Sequence, residues 1–207
     1  MSNRLILASA SIGRKMLFEA MIQDFTIVVS NVDEKQFSHE DPRELPRHLA
    51  QAKAEAVAQS YPDDWVMAFD TLVLCENRLI GKPSSKEEAK TMLRFLSGKR
   101  QSVISGYAFV HAHKNIHESG KEETILHFAE LTDDFIENYV NTHPVTRFAG
   151  GYAIQNDDQF ITIEKGSFDV IVGAPMKKVR EFLLRYDLEF LLKDESERES
   201  AWFLREA

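Results

Sequence analysis

Cysteine is almost missing from this chain. Cys75 is the only one in 207 residues, so no internal disulfide can form and no Cys-x-x-Cys pair exists to bind zinc or exchange thiols. A lone cysteine reads best as a small buried hydrophobe. Positive charge is also short: 25 Lys and Arg against 33 Asp and Glu give a net charge of -8, which argues against a general nucleic-acid binder. A polyanionic ligand would have to be gripped by a local cluster of cations. Long apolar runs are absent too. Residues 5–8 (LILA) are too short, and too soon followed by Arg14 and Lys15, to be a signal peptide or a membrane span, so a cytoplasmic protein without a membrane partner is expected. There is no internal repeat and no low-complexity tract. With 43% hydrophobic and 28% charged residues, what remains is an ordinary soluble composition, long enough for one sizeable core.

The chain is organised around residues 66–83. Positions 66–69 and 72–75 are apolar, the composition of a strand buried on both faces, yet Asp70 stands in their midst. Burying an unpaired carboxylate is costly, so Asp70 must be protonated, paired with a cation, or placed where the strand opens into a cleft. A turn at 76–78 reverses the chain into a short strand at 79–80. Gly81-Lys82-Pro83 then brings Lys82 back beside Asp70.

The flanking segments alternate strand and helix. A strand at 5–8, the turn Ser9-Ala10-Ser11 and a helix over 12–21 aim backbone N–H groups and the helix dipole above the turn. With Ser9, Ser11, Arg14 and Lys15 this reads as a phosphate site or as a plain N-cap. A strand at 25–29 carries Asp33 and Glu34 beyond its carboxyl end, where ligands of open α/β sheets gather. Asp41-Pro42-Arg43-Glu44 opens a helix to about Ser60, with Lys53 at the edge of its buried stripe, placed to snorkel or to reach an anion. A helix capped by Ser85 runs to Gly98, followed by strands at 102–112 and 124–131. His111 and His113 share a strand face, but a third metal ligand at a recognisable spacing is missing. A helix from Thr132 to Val140, a glycine loop at 148–152, strands at 160–164 and 168–172, and a helix opened by Gly173-Ala174-Pro175 complete the pattern. The tail is charged over 193–199, then apolar at Trp202-Phe203-Leu204, which wants a surface on this chain or a neighbour.

Five stretches, LILASASIGRKML, AFDTLVLCENRLIGKP, MLRFLSGKRQSVISG, AGGYAIQ and VIVGAP, resemble in order and spacing the Maf family of nucleoside triphosphate pyrophosphatases, from Leu5 to about Leu184. The resemblance implies an elongated, two-lobed α/β fold of the Maf/ITPase-like kind, a mixed, twisted sheet flanked by helices with a central cleft. It implies a pyrophosphatase domain over residues 1–186 and a C-terminal extension over 187–207. The implied reaction cleaves a nucleoside triphosphate to the monophosphate and pyrophosphate with a divalent cation, Mg or alternatively Mn, and removes non-standard nucleotides. By the same resemblance Asp70 is the proton acceptor, Glu34 and Asp70 hold the metal, and Lys82 is catalytic. Ser9, Arg14 and Lys53 surround the phosphates. The family commonly forms homodimers and is associated with septum formation.

Thr71 and Gln155 match the branch of the family that acts on dTTP and UTP. Gly13 and Ile12 depart from that branch's Ser-Pro-Arg-Arg motif, removing one guanidinium, and Phe148 stands where a lysine is frequent. The expectation is therefore dTTP, UTP and modified pyrimidine nucleotides with altered or broader specificity. The alternatives are a 7-methyl-GTP pyrophosphatase and a non-catalytic nucleotide-binding regulator. A phosphatase of the haloacid dehalogenase type is disfavoured, because Leu72 stands where its second acid belongs.

Overall fold

The computed structural model describes residues 4–152, 154 and 159–194. Gln155 and the apolar Trp202-Phe203-Leu204 lie outside them. The described chain is mixed α/β, with a seven-stranded sheet in the order β2-β1-β3-β5-β6-β7 and β4 paired to β3. These strands are β1 Leu5–Leu7, β2 Thr26–Ile27, β3 Trp65–Cys75, β4 Arg78–Ile80, β5 Arg100–His111, β6 Ile116–Phe128 and β7 Ile161–Lys165. The helices are α1 Ile12–Met21, α2 Leu45–Ala58, α3 Lys86–Leu96, α4 Asp133–Thr142, α5 Phe168–Val172 and α6 Met176–Arg185. Two compact units share the chain: residues up to Thr71, 105–122 and from Ser167 onward form the first, and 72–104 with 123–166 form the second.

In the first unit β1 pairs in parallel with both β2 and β3, and α1 and α2 make the crossovers that parallel pairing requires. Side-chain alternation sorts the strands between two apolar layers. Leu5, Leu7, Trp65, Met67, Phe69 and Phe109 pack with Leu17, Phe18 and Met21 of α1 and Val179, Phe182 and Leu183 of α6. Ile6, Ala8, Val66, Ala68, Ala108 and Val110 pack with Ala50, Ala54, Val57 and Ala58 of α2. The unbroken apolar run of β3 is thus explained by helices on both faces. A Cβ on Gly106 of β5 would lie 2.2 Å from the Pro46 carbonyl carbon, so this glycine lets the start of α2 sit directly on the sheet.

In the second unit β3 and β4 form a hairpin with Val73↔Ile80 and Cys75↔Arg78 in register. Glu76 and Asn77 turn it with φ of 50° and 62°, as a two-residue loop demands. Ser85 and Thr132 cap α3 and α4 through hydrogen bonds from Glu88 N and Phe135 N. Cys75 is buried, and its Sγ donates to the Arg100 carbonyl. Among the described residues no helix is long and apolar enough to cross a membrane.

Three expectations need correction. Residues 168–172, expected as a strand, are the helix α5, closed by Gly173 at φ 109°. Periodicity cannot assign so short a segment to strand or helix, and the buried Asp169 within it accepts from Val170 N at 3.0 Å and Met176 N at 2.6 Å. The strand at 25–29 shortens to Thr26–Ile27, where the ladder to β1 ends. β6 begins at Ile116 rather than 124, because the polar stretch is paired: Lys121 meets Glu44, Glu122 meets Lys178, and Glu118 meets Arg185.

Candidate active site

The period of two along β3 sends Asp70 and Thr71 to opposite faces of the sheet. Asp70 shares the face of Val66 and Ala68, over which α2 lies. There Lys53 Nζ sits 2.6 Å from Asp70 Oδ1 and 2.6 Å from Glu34 Oε1. The Lys53 and Asp70 side chains are only 9% and 14% exposed, whereas Glu34, in a single 3-10 turn after β2, is 58% exposed. Burial pushes the Asp70 carboxyl above the usual carboxylate range. The Lys53 charge and hydrogen bond, and the more distant Arg14, oppose that rise, and Glu34 adds to it.

Thr71 shares the face of Phe69, toward α1 and the start of α6. Arg14, in the first turn of α1, reaches across it: Nε donates to the Gly173 carbonyl at 2.8 Å, Nη1 to Ser9 Oγ at 3.3 Å and Nη2 to Thr71 Oγ1 at 3.1 Å. Burial lowers the pKa of this guanidinium, while Asp70 and Glu34 raise it. The turn after β1 is closed from within, since Ser11 N donates to Ser9 Oγ and Ser11 Oγ caps α1 at Arg14 N. Ser9 is buried, and Ile12 beside Gly13 at the start of α1 is 73% exposed.

Six of the residues singled out in the sequence, Ser9, Arg14, Glu34, Lys53, Asp70 and Thr71, thus assemble within the first unit. The cation on Asp70 is Lys53. Lys82 is exposed and follows the end of the β3–β4 ladder in the second unit. His111 is buried edge-on against Trp65, and His113 pairs with Asp63 in the turn. Among the described residues no group of three or more His, Cys, Asp or Glu could hold a metal ion.

Two site residues were missed in the sequence. Ser105 of β5, fully buried, lies 2.8 Å from Thr71 Oγ1 and donates to the Val170 carbonyl at 2.7 Å. Gly173 has φ 109°, and a Cβ there would meet Thr71 Oγ1 at 2.7 Å and Arg14 Nε at 3.1 Å. Its place between an apolar run and Ala-Pro marks a turn, but nothing local says that an arginine crosses it.

A three-layer α/β unit in which one lysine bridges the strand-centre Asp70 and Glu34, with the half-buried Arg14 on the other face of the same strand, defines the class. The chain belongs to the Maf-like protein family, whose model matches residues 4–186. Within it, the chain is similar to the dTTP/UTP pyrophosphatase of Bacillus cereus strain G9842, 37% identical over 90% of this chain and 97% of that one. It is also similar to the dTTP/UTP pyrophosphatases of Moorella thermoacetica, 38% identical over 90% and 97%, and Pyrococcus furiosus, 38% identical over 84% and 90%. Among solved structures, the Staphylococcus aureus Ham1 protein aligns with TM-score 0.43 and 15% identity over 61% of this chain and 72% of that one.

Proposed function

We propose that this protein hydrolyses nucleoside triphosphates, dTTP and UTP first among them, to the nucleoside monophosphate and pyrophosphate. The observation that carries the proposal is the Asp70 carboxylate, only 14% exposed and paired with Lys53, in a chain whose relatives bear that activity in their names. The reaction forms a bond from a water oxygen to the α-phosphorus and breaks the bond from that phosphorus to the bridging oxygen, releasing pyrophosphate. Asp70 takes the proton from the water. Its burial raises its basicity, and the Lys53 charge and hydrogen bond oppose that rise.

The carboxylates suit a divalent cation. Glu34 and Asp70 each place an oxygen 2.6 Å from the Lys53 ammonium, so the two carboxylates are gathered close together around it. Two carboxylate oxygens, completed by phosphate oxygens and water, are the hard donor set that Mg or Mn takes. Glu34 and Asp70 would hold the ion, which when bound supplies positive charge to the phosphate oxygens. Lys53 keeps the two carboxylates together and neutralises one of them. Arg14 and Ser9 hold the turn after β1 and Thr71 in place beside Asp70. Lys82 and Gln155 enter the proposal on the family resemblance alone.

The test is pyrophosphate release with magnesium from the common nucleoside triphosphates, 5-methyl-UTP, pseudo-UTP, 5-methyl-CTP and 7-methyl-GTP. Release from dTTP and UTP, lost in Asp70→Asn with nucleotide binding retained, is the expected result. An Asp70→Asn variant that turned over near the wild-type rate would remove Asp70 from the role of base.

A further inference from the structure

Thr71 is held by partners whose hydrogen-bonding roles leave no choice. The Val170 carbonyl can only accept, so Ser105, 2.7 Å away, spends its single hydroxyl proton there. Ser105 can then only accept from Thr71 at 2.8 Å, and the Thr71 proton is committed in turn. Arg14 can only donate, and its Nη2 occupies one of the two lone pairs of Thr71 Oγ1 at 3.1 Å. Among the described residues nothing else bonds this oxygen, so one lone pair is left. Gly173 keeps side-chain atoms off this oxygen, since a Cβ there would approach it to 2.7 Å.

A hydroxyl normally adapts, donating to one ligand and accepting from another. Here Thr71 accepts only. It cannot serve a phosphate oxygen, which offers lone pairs at neutral pH, and it rejects any other acceptor placed against it. We propose that Ser105 is a positioning residue for base selection: by taking the Thr71 proton it makes Thr71 a fixed acceptor for the ring N3–H of a uracil or thymine base. This rests on the dTTP/UTP reading given above. N3–H is the only donor on either base, and cytosine replaces it with a lone pair, so a fixed acceptor sets uracil and thymine against cytosine. A site built this way leaves two lone pairs facing each other when the wrong base enters.

The experiment compares kcat/KM for UTP, dTTP, CTP and 3-methyl-UTP in the wild type, Ser105→Ala and Ser105→Thr. The wild type should prefer UTP over CTP and turn over 3-methyl-UTP at least tenfold less well than dTTP, which carries its methyl elsewhere on the ring. Ser105→Ala frees the Thr71 proton, and the UTP to CTP ratio should fall about tenfold or more, with Ser105→Thr restoring it. A Ser105→Ala enzyme that loses UTP and CTP turnover equally would make Ser105 a packing residue and overturn the inference alone. Wild-type turnover of 3-methyl-UTP as fast as dTTP would overturn it too, with no variant that has to fold. No pyrophosphate from any triphosphate with wild-type protein would overturn the underlying activity, and the inference with it.

Discussion

Replacing Lys53 with Met keeps an apolar stem of similar length and removes the ammonium that Asp70 and Glu34 share at 2.6 Å each. Glu34 is exposed enough to return to water, but Asp70 is not. Removing one partner of a buried pair costs about 3–5 kcal/mol, because the other charge stays behind unpaired. Protonation limits that cost. Holding an aspartic acid neutral at pH 7, against an unfolded-state pKa of about 3.9, costs about 4 kcal/mol, which agrees with the first figure. The sign of the pH dependence follows from the same group. Burial already lifts Asp70 above its unfolded-state pKa, and losing Lys53 lifts it further. A raised folded-state pKa favours the folded protein fully below the unfolded-state pKa, and that advantage is lost as pH rises toward the folded-state value. The destabilisation of Lys53→Met should therefore shrink by at least about 1 kcal/mol between pH 7 and pH 5. Adding Asp70→Asn should recover most of the loss, because no buried charge then lacks a partner. Urea unfolding followed by circular dichroism at both pH values measures each quantity. A loss below about 1 kcal/mol, equal at the two pH values, would refute a buried Lys53–Asp70 pair.

The same electrostatics predicts that in metal-free protein the Asp70 carboxyl titrates above the ordinary carboxylate range, as followed by NMR. Glu34→Gln should move that titration to lower pH, since the Glu34 charge is one cause of the raised Asp70 pKa, and an upward move would contradict it. Gly173→Ala should cost about 1–3 kcal/mol from its backbone conformation and lower turnover at least tenfold by displacing Arg14 and Thr71. Gly81→Ala, where a Cβ meets nothing within 4 Å, should leave the melting temperature nearly unchanged; equal losses in the two variants would remove the steric explanation. Asp169→Ala should destabilise by about 1–3 kcal/mol, leaving the backbone N–H groups of Val170 and Met176 without their acceptor, and calorimetry that found no loss would dismiss this capping role.

Much of the site was legible because its signals are local. An acid inside an apolar run demands a partner wherever the strand ends up, and Lys53 on the rim of an amphipathic helix is a candidate from spacing alone. Ser9 and Arg14 announce themselves by following a strand and opening a helix. The misreadings share a different cause. Residues 170–172 are β-branched and apolar, which suits a strand, and nothing local shows that the Asp169 side chain accepts from the first residue of the next helix seven positions on. Ser105 looked like one polar residue in a strand, since its partners Thr71 and Val170 lie 34 and 65 positions away.

The sequence by itself determined that Asp70 and Thr71 face opposite ways, because consecutive residues of a strand always do. It also determined that both faces of that strand are covered, because neither carries the alternating polar residues that water would require. Which helix covers which face was decided only by the tertiary structure. α2 brings Lys53 and, with it, Glu34 to the Asp70 side, while α1, α5 and the turn at Gly173 bring Arg14 and the Val170 carbonyl to the Thr71 side. The physical reason is that a side chain's direction follows from its own backbone, whereas its partner follows from the packing of elements far away in the chain.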